Sequence, residues 1–134
     1  MKILLVEDDI MLNEMITEYI TSTGHAIKSV KTGNESLEIL DKEKFDLLIL
    51  DINIPDIDGF TILEKMHEQK RMIPTIYISA LIDIEDISRA FDLGCFDYLK
   101  KPFHLKELTL RINKILKTRI VPQRHKRLSK HYKQ

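Results

Sequence analysis

FDLLILDINIPDIDG, residues 45–59, sets four consecutive apolar side chains, Leu47 to Leu50, directly against an acid, Asp51, with Pro55 and Gly59 behind it. The run carries no polar alternation, which predicts a strand covered on both faces, as in a parallel sheet flanked by helices. An ionised carboxylate closing such a strand is costly to desolvate unless something pairs with it. What else gathers at that edge therefore decides the reading of Asp51.

Working outward, four more apolar runs punctuate the chain: KILLV (2–6), AIKSV (26–30), PTIYIS (74–79) and CFDYLK (95–100), with DLLIL (46–50) in the middle. Each is followed by a stretch of helical period. After the first, Met11, Met15 and Tyr19 mark one stripe and Leu12, Ile16 and Ile20 its neighbour; in the last, Leu105, Leu108, Ile112, Ile115 and Leu116 share a face. Gly24, Gly33, Gly59 and Gly94 fall at the joins, where a turn or helix C-cap favours positive φ. Strands separated by helices cannot pair as hairpins, so the expected fold is α/β: a flavodoxin-like (βα)5 doubly wound parallel sheet of strand order 2-1-3-4-5. A dinucleotide fold is disfavoured, because EDDIML follows the first strand where a glycine fingerprint would stand.

The bulk properties fit one domain: 134 residues, 43% hydrophobic and 31% charged. The apolar runs are too short to span a bilayer and MKILLVEDD turns acidic too early for a secretory leader, so a cytoplasmic protein with no membrane partner is expected. A single cysteine, Cys95, is expected to be reduced and partly buried. Net charge is zero, yet residues 118–134 hold six Lys/Arg and no acid, leaving 15 basic against 21 acidic residues before them. Residues 1–119 are read as the domain, and 120–134 as a basic linker or the start of a missing C-terminal effector.

In a sheet of this order the ligand crevice lies beyond the carboxyl ends of the first and third strands. Glu7 and Asp8 close the first and Asp51 the third, so three carboxylates converge and would repel one another without a cation among them. Oxygen ligands with no Cys or His nearby select a hard ion, and a site with few protein ligands suits Mg2+. Strands four and five add Ser79 and Lys101. A carboxylate, a divalent cation, a hydroxyl and an ammonium can together hold a phosphoryl group on the aspartate.

LLVEDD, LLILDINIPDIDGF, IYISA and DYLKKPF closely resemble the receiver domain of two-component response regulators, over residues 1 to about 119. The resemblance implies that Asp51 accepts the phosphoryl group from a histidine kinase. Asp8 and Asp51 would hold Mg2+ directly, Glu7 through water, and Asn53 through its backbone carbonyl. Ser79 and Lys101 would bind the phosphoryl oxygens, and Tyr98 would be an aromatic switch beside Ser79. A cis Lys101–Pro102 bond is implied too. Asp9 is outside the acidic pair and is expected to cap a helix, and Lys100 is the lesser of its pair. Leu81 offers nothing to orient an attacking water, so a long-lived acyl phosphate is expected. Such a domain is a switch with self-catalysed phosphorylation and dephosphorylation, not a turnover enzyme.

The C-terminal stretch is similar to the OmpR/PhoB type, transcription factors that dimerise through their last receiver face and bind DNA through a winged helix, absent here. Asp97 and Arg111 match two positions of that type's charged ladder. Phe96 and Ile87 stand where charges would be expected, so a phosphorylation-favoured homodimer would rest on Ile87, Phe96 and Leu110. Three alternatives stay open: a stand-alone receiver, a non-phosphorylated pseudo-receiver that only binds proteins, and a haloacid-dehalogenase-type phosphatase. The last needs a second acid where Asn53 stands. The five histidines show no metal spacing and are taken as surface residues.

Overall fold

The computed structural model describes residues 1–80 and 83–120. Ten elements alternate along them: β1 (Lys2–Val6), α1 (Ile10–Ser22), β2 (Ala26–Val30), α2 (Gly33–Lys42), β3 (Leu47–Asp51), α3 (Gly59–Glu68), β4 (Thr75–Ser79), α4 (Ile84–Asp92), β5 (Cys95–Lys100) and α5 (Leu105–Ile120). The strands form one parallel sheet in the order β2-β1-β3-β4-β5, the expected flavodoxin-like topology. The expectations placed on Leu81 and on the basic segment 121–134 lie outside the described residues.

Successive strand side chains point to opposite faces, so a strand covered on both sides has to be apolar at every position. Leu4, Leu48 and Leu50 pack with Phe60, Leu63 and Met66 of α3 on one face. Ile3, Leu47 and Ile49 pack with Ile16, Ile20 and Ile112 of α1 and α5 on the other. Cys95 joins the first layer and is buried, and burial pushes its thiol up to about 11, so it stays protonated at neutral pH. Among the described residues, no helix is long and apolar enough to cross a membrane.

Of the two apolar stripes of α1, the sheet takes Leu12, Ile16 and Ile20. Met11 and Met15 stay in the open at 73% and 50% exposure. One helix can turn only one stripe of about 100° toward the core, and periodicity alone does not say which. The helices are capped as their sequences suggest: Asp9 Oδ1 accepts from Leu12 N–H at 3.2 Å, and Asp58 Oδ1 from Thr61 N–H at 2.9 Å. Ser79 ends β4, and Asp83 is the residue that caps α4.

Two of the four glycines depart from the expected reason for their place. Gly24 and Gly94 do have positive φ, 92° and 93°. Gly33 and Gly59 instead open helices with no positive φ and are there for close approach. A Cβ on Gly59 would sit 3.0 Å from both the Asp51 carbonyl oxygen and Ile52 Cα. That contact is backbone against backbone at the end of β3, where little can give way. Gly59→Ala is expected to destabilise the fold by about 1–3 kcal/mol, read as a lower urea midpoint at unchanged slope.

Candidate functional site

Parallel pairing lines up the carboxyl ends of β1, β3, β4 and β5, and the residues there are Glu7, Asp51, Ser79 and Lys101. Val6 is in register with Leu50, and Asp51 with Ile78, which brings Glu7 and Asp51 side by side. Backbone bonds fix the loops beyond: Glu7 N–H donates to Val30 O at 3.1 Å, Ile52 N–H to Ile78 O at 3.2 Å, and Lys101 N–H to Ser79 O at 2.8 Å. The Lys101–Pro102 bond is cis. Carboxylate oxygens of Glu7, Asp8 and Asp51 lie within 4.8 Å of one another, so the three acids do converge.

Glu7 and Asp51 are buried, at 0% and 3% exposure, while Asp8 faces solvent. Lys101 reaches between the two buried acids, its Nζ 2.6 Å from Glu7 Oε1 and 2.9 Å from Asp51 Oδ2. Asp51 Oδ1 accepts from Asn53 N–H at 3.0 Å, and Glu7 Oε2 from Asp9 N–H at 3.0 Å. Glu7 Oε1 is buried, and its partner is the Lys101 ammonium. Burial lifts the Glu7 carboxyl to about 7, with the neighbouring Asp51 charge adding to the lift and Lys101 and the Asp9 N–H opposing it. For Lys101, burial works against the charge, but the contacts to Glu7 and Asp51 outweigh it and hold the ammonium above its ordinary range.

Ser79 is buried at 1% exposure, and its side chain opposes the rise that burial gives the hydroxyl of the half-buried Tyr98. The Tyr98 ring stands edge-on to Tyr77, with centroids 6.4 Å apart, and Tyr77 in turn to Phe60 at 5.5 Å. The Tyr77 hydroxyl donates to Gly59 O at 3.2 Å. Lys100 is exposed, away from the acids that Lys101 joins. On the far side of β5, Arg111 is bound within the chain to Asp97, at 3.1 and 3.2 Å, and lies 3.7 Å from Glu107.

Two supporting residues escaped the sequence reading. Tyr77 lies within the apolar run of β4, where nothing local sets it apart. Asn13 is buried on α1 and its Nδ2 donates to Glu7 O at 3.0 Å and Val30 O at 3.4 Å, tying the acid-bearing loop to the helix. An amide beside an apolar stripe was the available signal, since a buried amide needs partners. Asn13→Ala would leave the buried Glu7 carbonyl without this donor. The expected cost is about 1–3 kcal/mol by urea denaturation, with the far-ultraviolet spectrum unchanged.

Comparison with known proteins agrees with this geometry. Residues 3–113 match the family described as response regulator receiver domain. The transcriptional regulatory protein CrdR of Helicobacter pylori is 38% identical over 114 residues, covering 84% of this chain and 54% of that protein. The transcriptional regulatory protein RprY of Bacteroides fragilis is 36% identical over 117 residues, covering 87% and 50%. The chain thus spans about half the length of these curated relatives. Among solved structures, the non-phosphorylated HemR receiver domain from Leptospira biflexa is 32% identical with a TM-score of 0.80, covering 85% of this chain and 92% of that one. A parallel sheet in the order 2-1-3-4-5, an acidic edge at its carboxyl end, and a family match over 3–113 agree: the chain belongs to the receiver domains of two-component response regulators.

Proposed function

We propose that this receiver takes a phosphoryl group from a histidine kinase onto Asp51 and passes the event to its α4–β5–α5 face. The observation that carries the reading is the meeting of Glu7, Asp8 and Asp51 with Lys101 and Ser79 at one strand edge. The donor set fits Mg2+: three carboxylates with no nitrogen or sulfur ligand, two of them buried. Asp8, Asp51 and the Asn53 carbonyl would hold the ion directly and Glu7 through water. Bound there, Mg2+ supplies charge neutralisation for the oxygens of the transferring phosphoryl group.

The chain's own residues do the rest. An Asp51 carboxylate oxygen bonds to phosphorus as the donor's nitrogen–phosphorus bond breaks, and the leaving imidazole nitrogen keeps the electron pair. Lys101, already against Asp51, pairs with the new phosphoryl oxygens, and the Ser79 hydroxyl donates to one of them. Ser79 is buried and acts on the Tyr98 hydroxyl, so a Ser79 drawn toward the phosphoryl group leaves space into which the ring resettles. That resettling is the link from acceptor to surface.

The surface it reaches is apolar. Ile84, Phe91 and Leu110 are 84%, 50% and 59% exposed, with Ile87 and Phe96 half-buried beside them. Arg111 and Asp97 are spent on each other within the chain. A second copy of the chain is therefore held by apolar contact more than by a charged ladder. The relatives are named as transcriptional regulators and are about twice as long, which supports reading residues 1–119 as the receiver of such a regulator. DNA would then be bound through an effector beyond this chain, with 120–134 leading to it.

Two measurements test the reading. Incubated with acetyl phosphate and Mg2+, the wild type is expected to gain one phosphoryl group by intact mass, and Asp51→Ala none. A folded wild type that gains nothing with Mg2+ leaves the pseudo-receiver alternative standing. In sedimentation, the phosphorylated chain is expected to dimerise about as well in high salt as in low, while Leu110→Glu weakens the dimer roughly tenfold or more.

A further inference from the structure

The segment 52–58 has to keep one shape, because Asn53 lies on it and already donates its N–H to the Asp51 carboxylate. Two of its anchors are local: Gly59 N–H donates to Ile52 O at 2.9 Å, and the side chains of Ile52 and Ile54 are buried. The third crosses to another helix. Asp56 Oδ1 accepts from Gly33 N–H at 2.7 Å and Oδ2 from Asn34 N–H at 2.9 Å, with Ile57 N–H also on Oδ1 at 2.9 Å.

Gly33 and Asn34 open α2, where the first N–H groups of a helix have no acceptor within it. Thr32 Oγ1 takes Glu35 N–H at 3.1 Å, and the first helical bond runs from Ser36 N–H to the Thr32 carbonyl at 3.1 Å. Asp56, more than twenty residues away in sequence, takes those of Gly33 and Asn34. An anion suits the positive end of the helix. The Asn34 N–H, with those of Gly33 and Ile57, holds the Asp56 carboxyl below the usual range against the opposing effect of desolvation. The fit is close: a Cβ on Gly33 would come within 2.8 Å of Ile57 Cβ.

We propose that Asp56 is a positioning residue that clamps the acceptor loop onto the N-terminus of α2, so that loop and helix start order together. The consequence for phosphorylation rests on the reading of Asp51 as the acceptor. Coupling of this kind is reciprocal: what fixes the loop protects α2, and loosening the start of α2 is felt at Asp51.

Amide hydrogen exchange on the metal-free chain reads the clamp without any ligand. In Asp56→Ala, exchange at Gly33, Asn34 and residues 52–58 is expected to quicken together, by about tenfold or more, with the sheet unchanged; Asp56→Asn, which keeps one acceptor oxygen, falls between. Mg2+ affinity by calorimetry is expected to fall about tenfold in Asp56→Ala, as when a residue behind a metal ligand is lost. Thr32→Ala is the control. It removes the acceptor for Glu35 N–H and leaves the clamp, so Mg2+ affinity should stay within about twofold although the helix start is weakened. Faster exchange confined to Gly33 and Asn34, with the loop and Mg2+ affinity as in wild type, would overturn the proposal and leave Asp56 a helix cap alone. Failure of the wild type to bind Mg2+ or gain a phosphoryl group would sink the phosphoacceptor reading instead, and the metal-free exchange would still decide the clamp.

Discussion

One ammonium between two buried carboxylates is the interaction on which the functional edge depends. Glu7 and Asp51 close neighbouring strands and are almost wholly removed from water, which two like charges tolerate only with compensation. Lys101 supplies it, at 2.6 and 2.9 Å, from a loop that β5 delivers to the same edge. The compensation is partial. Burial still lifts the Glu7 carboxyl to about 7, against the pull of Lys101. A site in that condition favours the arrival of further positive charge.

Two of the loops at this edge are tied to elements distant in sequence, and a third to the helix that follows it. Asn13 of α1 holds the loop after β1, Asp56 ties the loop after β3 to α2, and Lys101 N–H joins the loop after β5 to β4. Such ties fix the geometry of a charged site better than local turns can, because a change at one must move a packed neighbour. The aromatic series Phe60, Tyr77 and Tyr98 extends the tie sideways. It runs from the start of α3 through β4 to the β5 surface.

Much of this was legible beforehand, for identifiable reasons. DLLIL could be read as a doubly covered strand because burial on both faces forbids alternation, and the same logic placed Asp51 at a crevice. Strand order followed from the count of βα units and the missing glycine fingerprint. Where several answers satisfy one local rule, the reading stopped or erred. Both stripes of α1 carry apolar side chains, and the wetter one holds Met11 and Met15. Gly33 and Gly59 looked like turn glycines, but their constraint is a neighbour packed too near for a Cβ.

The sequence by itself determined the alternation of elements, the parallel sheet, and which residue types stand at the strand ends, because periodicity and burial are written locally. Tertiary structure alone decided the partners. That Lys101 spans Glu7 and Asp51, that Asp56 caps a helix more than twenty residues before it, and that Arg111 spends its charge on Asp97 all depend on distances between segments far apart in the chain. No local pattern encodes those distances; the packing of helices onto both faces of the sheet sets them.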